Sequence, residues 1–393
     1  MKKLIINTEK ITDIPSFLKL CPFGALEYKD AAVSPTAACK MCKICVKKGP
    51  EGAAEIVEED ASVIDKSEWR GICVYVDHEA GNIHPVTLEL IGKARELADK
   101  VGHEVYCLFM GENIRKEAEE LLHYGVDKVF LYENKKLQHY VTEPYTAVFE
   151  DFINNVKPSA ILVGATAVGR QLAPRVAARF RTGLTADCTI LDINEDTDLI
   201  QIRPAFGGNI MAEIHTPNNR PQLATVRYKI MEAPERSESV SGEIMPCSIG
   251  EDKLASAMVV TAVEPKPKLK TIESASVLVV AGRGVKAKED LAMLEELAAL
   301  LGGELAVTRP VAEAGFADAK RQIGLSGKTV RPKLIITCGV SGAIQFAVGM
   351  RNSDCIIAIN TDENAPIFKF ANYGIVGNLY DIVPALIKNL KGE

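Results

Sequence analysis

Val277-Leu278-Val279-Val280-Ala281-Gly282-Arg283-Gly284 reads as a short strand that runs straight into a glycine-rich turn, with a helix following near Lys288 to Leu301. The pattern recurs at Leu334-Ile335-Ile336-Thr337-Cys338, which runs into Gly339-Val340-Ser341-Gly342 with a helix opening at about Ala343. A strand feeding such a turn at a helix start presents bare backbone N–H groups and the positive end of the helix dipole to an anion. Glycine turns connect many strands to helices harmlessly, so either one alone says little. Two in one C-terminal stretch, with a third strand ending Ile359-Asn360-Thr361-Asp362, point to a dinucleotide site outside the carboxyl ends of parallel strands. The G-x-G-x-x-G fingerprint is absent, and this pattern does not separate NAD from FAD.

Upstream, short β-branched runs alternate with amphipathic helices from Gly71 onward. Strands are expected at 72–76, 105–110, 129–132 and 160–164, with helices over 84–100, 114–124, 145–155 and 170–181. This β-α-β order implies a mostly parallel, doubly wound sheet. Residues 185–228 carry shorter strand-like pieces with Asn/Asp turns and read as an antiparallel extension. Glu264-Pro265-Lys266-Pro267-Lys268-Leu269-Lys270 is a charged, proline-spaced linker. The expected domains are therefore 1–62, a small cluster domain ending in an acidic stretch at Glu58-Glu59-Asp60, then 63–263 and 264–393.

Composition narrows the function. The chain has 393 residues, 47% hydrophobic and 25% charged, which suits several globular domains. A formal net charge of −6 and a pI near 5.7 argue against nucleic acid as a partner. No apolar run reaches the roughly 18 residues of a membrane span, and the start lacks a signal peptide's long apolar core, so a cytoplasmic protein is expected. All six histidines fall at or before His215, leaving the C-terminal domain without one for general-base chemistry. A hydrolase triad there is not expected. An electron carrier is.

Ten cysteines in a cytoplasmic chain are not read as disulfides. Cys73, Cys107, Cys188, Cys338 and Cys355 lie singly in or beside apolar stretches and read as small buried hydrophobes. Cys39-Lys40-Met41-Cys42-Lys43-Ile44-Cys45 is different: it is a C-x2-C-x2-C run. Two-cluster ferredoxins carry C-x2-C-x2-C-x3-C-P twice, each fourth Cys serving the other run's cluster. Here the fourth position is Gly49, followed by Pro50. The earlier Cys21-Pro22 ends a first run whose upstream positions are Ile11, Ile14 and Phe17. One complete four-thiolate set remains, Cys21, Cys39, Cys42 and Cys45, and the other site has vanished. Tetrahedral zinc also takes four cysteines, but the spacing favours a single 4Fe–4S cluster. Lys40, Lys43, Lys47 and Lys48 crowd this loop and would favour the electron-rich state or an acidic redox partner. A solvated charged loop is the plain alternative.

Further motifs lie in order along the last part of the chain: Thr308-Arg309-Pro310, Gln322-Ile323-Gly324-Leu325-Ser326-Gly327-Lys328, Gln345 after Ala343-Ile344, Ala365-Pro366-Ile367-Phe368, and Tyr373-Gly374-Ile375-Val376-Gly377-Asn378-Leu379. With Gly282-Arg283-Gly284 and Gly339-Val340-Ser341-Gly342, they resemble the alpha subunit of electron transfer flavoproteins. A weaker likeness covers Gly169-Arg170-Gln171-Leu172-Ala173-Pro174 and Gly183-Leu184-Thr185-Ala186-Asp187. The cysteine domain resembles an extension found in electron-bifurcating members, such as the one coupled to caffeyl-CoA reductase. The resemblance implies two doubly wound parallel-sheet domains preceded by a small ferredoxin-like α+β iron–sulfur domain.

It further implies FAD held by Arg283, Thr308, Arg309, Gln322, Ile323, Gly324, Leu325, Ser326, Ser341, Gly342, Ala343, Gln345, Asn360, Asn378 and Leu379. By motif position Arg309 would lie against the isoalloxazine, Ser326 near its N5, and Asn360 and Asn378 at the adenosine half. Where many members carry a histidine after the Gln, this chain has Phe346. The implied partners are a beta subunit whose flavin oxidises NADH, an acyl-CoA dehydrogenase-like reductase, and ferredoxin reached through the cluster. The other readings are the same subunit serving a lactate dehydrogenase-like partner, a stand-alone NADH:ferredoxin oxidoreductase, and a non-redox adaptor with a structural cluster.

Overall fold

A computed structural model of the chain describes residues 2–29, 31–36, 39–58, 64–208, 210–264 and 271–392. The chain divides into two compact units, Met1–Asp65 and Lys66–Glu393. Most of the expected linker and acidic stretch, residues 265–270 and 59–60, lies outside the described residues. Among the described residues no helix is long and apolar enough to cross a membrane.

In the first unit, strand Lys2–Ile6 pairs antiparallel with strand Ala54–Glu58. Between them come helix Ile14–Lys19, a hairpin of Leu26–Lys29 and Ala32–Pro35, and helix Ile44–Lys48. Asp13 starts the first helix by accepting the Ser16 N–H at 3.1 Å. Leu4, Ile11, Phe17, Leu26 and Val33 form the core.

The second unit holds two parallel sheets. The larger has seven strands in the order Leu184–Cys188, Gln222–Val226, Ala160–Gly164, Ile72–Tyr75, Val105–Gly111, Lys128–Glu133, Glu243–Cys247. Helices Val86–Val101, Thr142–Val156 and Ala167–Arg179 lie within a residue or three of the expected spans. The antiparallel reading of 185–228 holds only for Ile190–Ile193, Leu199–Ala205 and Ile210–Ile214, which form their own three-stranded sheet. Its two ends instead join the large sheet as parallel strands. Gln222–Val226 is buried at every position, which only a sheet covered on both faces achieves. The smaller sheet, also all parallel, runs Glu304–Val307, Val277–Ala281, Leu334–Cys338, Ile356–Asn360, Tyr373–Val376. Its helices are shorter than the sequence implies: Leu291–Leu300, and a single turn at Ile344–Ala347.

A strap at residues 228–234 crosses helix Val86–Val101. Gly92 permits this, since a Cβ there would stand 2.4 Å from the Glu232 carbonyl. The buried Glu89 carboxylate accepts the Lys229 N–H through both oxygens, at 2.9 and 3.1 Å. Burial outweighs the amides of Lys229, Met231 and Ile230 and pushes this carboxyl up to about 7.

In the folded chain Glu89 therefore keeps a proton that the unfolded chain has released above about pH 4.5, so its contribution to stability falls as pH rises from there through 7. Glu89→Gln should remove that slope, on the order of 3 kcal/mol in full. Thermal melts of both proteins at pH 5 to 8 test this; parallel profiles would count against it.

Candidate functional site

From Val277–Ala281 the chain crosses to Glu304–Val307 on one side, then to Leu334–Cys338 on the other. That reversal opens a crevice at the carboxyl ends of the two central strands, where open α/β sheets bind ligands. The strands pair residue for residue from Val277↔Leu334 to Ala281↔Cys338, so their turns emerge level. The Gly282 N–H donates to the Cys338 carbonyl at 2.9 Å and the Gly284 N–H to the Gly339 carbonyl at 3.0 Å. A Cβ on Gly282 would lie 2.2 Å from the Gly339 oxygen, so no other residue fits.

Above these turns is a cavity of about 580 Å³. Eleven of the fifteen residues expected at the cofactor line it. Arg283, Ser341 and Ala343 come from the glycine turns, and Thr308 and Arg309 from the end of Glu304–Val307. Gln322, Ile323, Gly324, Leu325 and Ser326 come from a loop, and Gln345 from the short helix. Pro310 and Val340, which stand within the quoted motifs, and Phe346 complete the lining without having been expected as contacts. The other four expected residues do not line this cavity. Gly342, at φ +83°, abuts Ile367. The Asn360 amide donates to the Val340 carbonyl at 2.7 Å. Asn378 caps helix Leu379–Lys391, and Leu379 packs under Gly339.

The loop is fixed by backbone bonds: Ile323 N–H to Val307, Lys328 N–H to Gln322, and Leu325 N–H to Gln345 at 2.8 Å. The buried Gln322 amide donates to the Ser326 hydroxyl oxygen at 2.8 Å, which leaves the hydroxyl hydrogen to donate elsewhere. Arg309 commits its Nε to Glu313 at 2.7 Å and keeps the rest of its guanidinium for the cavity. Two arginines, two hydroxyls with a free hydrogen-bonding direction and an apolar wall at Phe346 suit an anionic, planar, partly apolar ligand.

In the first unit, Cys21, Cys39, Cys42 and Cys45 line one small cavity, together with Lys40 and Lys43. Met41 and Lys43 take left-handed backbone, φ 51° and 65°. Burial raises the Cys45 thiol, and Cys39 and Cys42 add to the rise by proximity. The Ala25 N–H donates to the Cys21 sulfur at 3.3 Å. Among the described residues no three His, Cys, Asp or Glu side chains stand close enough to hold a metal ion. Phe17 is buried, and a Cβ on Gly49 would lie 2.4 Å from the Cys45 carbonyl and 2.8 Å from the Phe17 ring.

Residues 72–249 match the family Electron transfer flavoprotein domain, and residues 271–351 match Electron transfer flavoprotein FAD-binding domain. Subunit LctC of the lactate dehydrogenase (NAD(+),ferredoxin) of Acetobacterium woodii is 59% identical over 95% of this chain and 90% of its own. Electron transfer flavoprotein subunits alpha of Clostridium acetobutylicum and Megasphaera elsdenii are 45% and 44% identical, each over 84% of this chain and 99% of their own. The chain belongs to the electron transfer flavoprotein alpha-subunit family.

The family's FAD-binding domain fits what the cavity offers. The glycine turns bring bare backbone to the crevice, as a pyrophosphate requires, and the arginines and Ser326 supply donors. Arg309→Ala should keep the flavin and lower its potential by about 100 mV, since a charge-assisted contact contributes roughly 1.5–3 kcal/mol. An unchanged potential in a redox titration would exclude Arg309 from contact. Gly282→Ala should instead yield protein depleted of flavin, read from its visible absorbance.

Proposed function

We propose that this chain is the alpha-type electron-transfer subunit of a bifurcating complex linking a lactate-type dehydrogenase, NAD and ferredoxin, with FAD in the C-terminal sheet and one 4Fe–4S cluster in a ferredoxin-like N-terminal unit. The observation that carries this reading is the reach of the match to LctC. At 374 residues it is longer than the whole stretch from Lys66 to Glu393, so it takes in part of the cysteine-bearing unit. The alpha subunits named above cover only 84% of this chain, against 95% for LctC. This favours the lactate-type partner over the acyl-CoA dehydrogenase-like reductase.

FAD supplies a carrier that accepts and releases electrons one or two at a time. Around it, Arg283 and Arg309 place positive charge that favours an electron-rich ring, and Glu313 holds the Arg309 fork in one orientation. Ser326 keeps its hydrogen for an acceptor on the ligand because Gln322 occupies its oxygen. Phe346 offers the cavity an apolar face and no hydrogen bond. Asn360 acts one layer back, holding the Val340–Gly342 turn by its carbonyl.

A 4Fe–4S cluster supplies single-electron transfer. Cys21, Cys39, Cys42 and Cys45, which line a common cavity, would hold it once drawn together, since as placed they do not form a metal-holding group, and the C-x2-C-x2-C spacing with a remote Cys-Pro favours it over zinc. The Ala25 amide would stabilise charge on Cys21, and Lys40 and Lys43 suit an acidic carrier such as ferredoxin. A beta subunit with an NAD-linked flavin completes the assembly.

The complex co-expressed with its beta subunit and dehydrogenase should oxidise lactate with NAD(+) only when reduced ferredoxin is supplied as the second electron donor. Turnover with an enoyl-CoA instead would transfer the reading to the acyl-CoA-linked partner, and NADH oxidation by the isolated chain would sink it. Cys21→Ala, prepared anaerobically, should lose bound iron while retaining FAD. Iron retained at the parent level would refute the assignment of Cys21.

A further inference from the structure

Gly324 and Leu325 of the flavin loop also wall a second cavity, of about 30 Å³, on their other side. Asp187, Thr189, Arg203 and Arg227, from the region around the large sheet, form the facing wall. The space admits one small ion or a water. Its lining is unbalanced in charge. The Asp187 carboxylate accepts from Arg227 at 2.8 Å and from Arg170 at 3.2 Å, and Arg203 stands close enough to act on it as well. Burial pushes the Asp187 carboxyl up, yet Arg227, Arg170 and Arg203 together hold it below its ordinary value. Arg203 makes no ion pair among the described residues; its Nε reaches only the Pro204 carbonyl, at 3.4 Å. The Thr189 hydroxyl oxygen is buried and has no hydrogen-bond partner.

A buried hydroxyl left unpaired is costly, so the cavity calls for an occupant with polar character. Water would satisfy the hydroxyl but would leave two lining guanidinium groups, Arg203 and Arg227, beside a single carboxylate. We propose that the cavity binds a single small monovalent anion of chloride size, held by Arg203, Arg227 and the Thr189 hydroxyl against the outer side of the flavin loop. Phosphate and larger polyatomic anions exceed the room available.

The purified full-length chain with its flavin can be melted in sodium chloride and in sodium gluconate at matched ionic strength. The melting temperature should rise saturably with chloride, by roughly 2–4 °C near ten times the dissociation constant, and stay flat in gluconate. Arg203→Gln should lose the chloride-specific rise. Thr189→Val should melt no lower than the parent in gluconate, because the unpaired hydroxyl is gone, and should respond less to chloride. Crystals soaked in bromide should give an anomalous peak between Arg203 and Arg227. A parent that responds equally to both salts, a chloride response that survives in Arg203→Gln, or an absent bromide peak at saturating bromide would each overturn the proposal and leave the cavity to water.

Discussion

The hydrogen bonds that cross between two glycine turns, Gly282 to Cys338 and Gly284 to Gly339, fix what is built on the C-terminal sheet. They exist because two parallel strands end level and no Cβ stands between them. Everything beneath adds constraint: Asn360 holds Val340, Gly342 lies against Ile367, and Leu379 packs under Gly339. The floor of the cavity is thus backbone held by backbone, which side-chain changes scarcely move. Chemical tuning falls to the walls, where Arg309 and Phe346 differ in charge and polarity without disturbing the floor.

This division explains what the sequence reveals. Apolar runs such as Val277–Ala281 and Ala160–Gly164 announce themselves because a strand buried on both faces admits almost nothing polar. Gln222–Val226 escapes because its Gln and Thr look like surface residues. In the fold Gln222 is fully buried, its amide donating to Thr216 while its oxygen accepts from Leu199. The glycine turns are legible since only glycine fits them. The strap on Glu89 and the Thr189–Arg203 cavity leave no local signature, because each joins residues distant in the chain.

The cysteine unit obeys a similar economy. Losing a cluster leaves a hole, and a hole in a small core is destabilising. Ile11 and Phe17 occupy two of the positions where the first run would carry thiolates, and both are buried. Gly49 stands where the second run would place its fourth, with the Phe17 ring against it. A side chain at 49 would meet the Cys45 carbonyl at 2.4 Å and the Phe17 ring at 2.8 Å, so backbone and ring together demand glycine there. Cys21, the one cysteine of the first run, lines a cavity with the three of the second.

The flavin loop is held from two directions of unequal strength. Inside, residues 322–328 are tied by backbone bonds to Val307 and Gln345. Outside, the large sheet reaches it through Ile230 on the strap, the arginine-lined cavity, and a Glu232–Arg331 ion pair at 2.9 Å. That pair is largely exposed and contributes little, within about 1 kcal/mol. The outer support therefore depends on one group whose charge can change, the Glu89 carboxyl that anchors the strap, and on the permanently charged guanidinium groups beside Asp187. Both act on Gly324 and Leu325, two residues shared by the large cavity and the small one. A change of charge on the outer side reaches the flavin cavity through one loop's thickness, with no need for either sheet to deform.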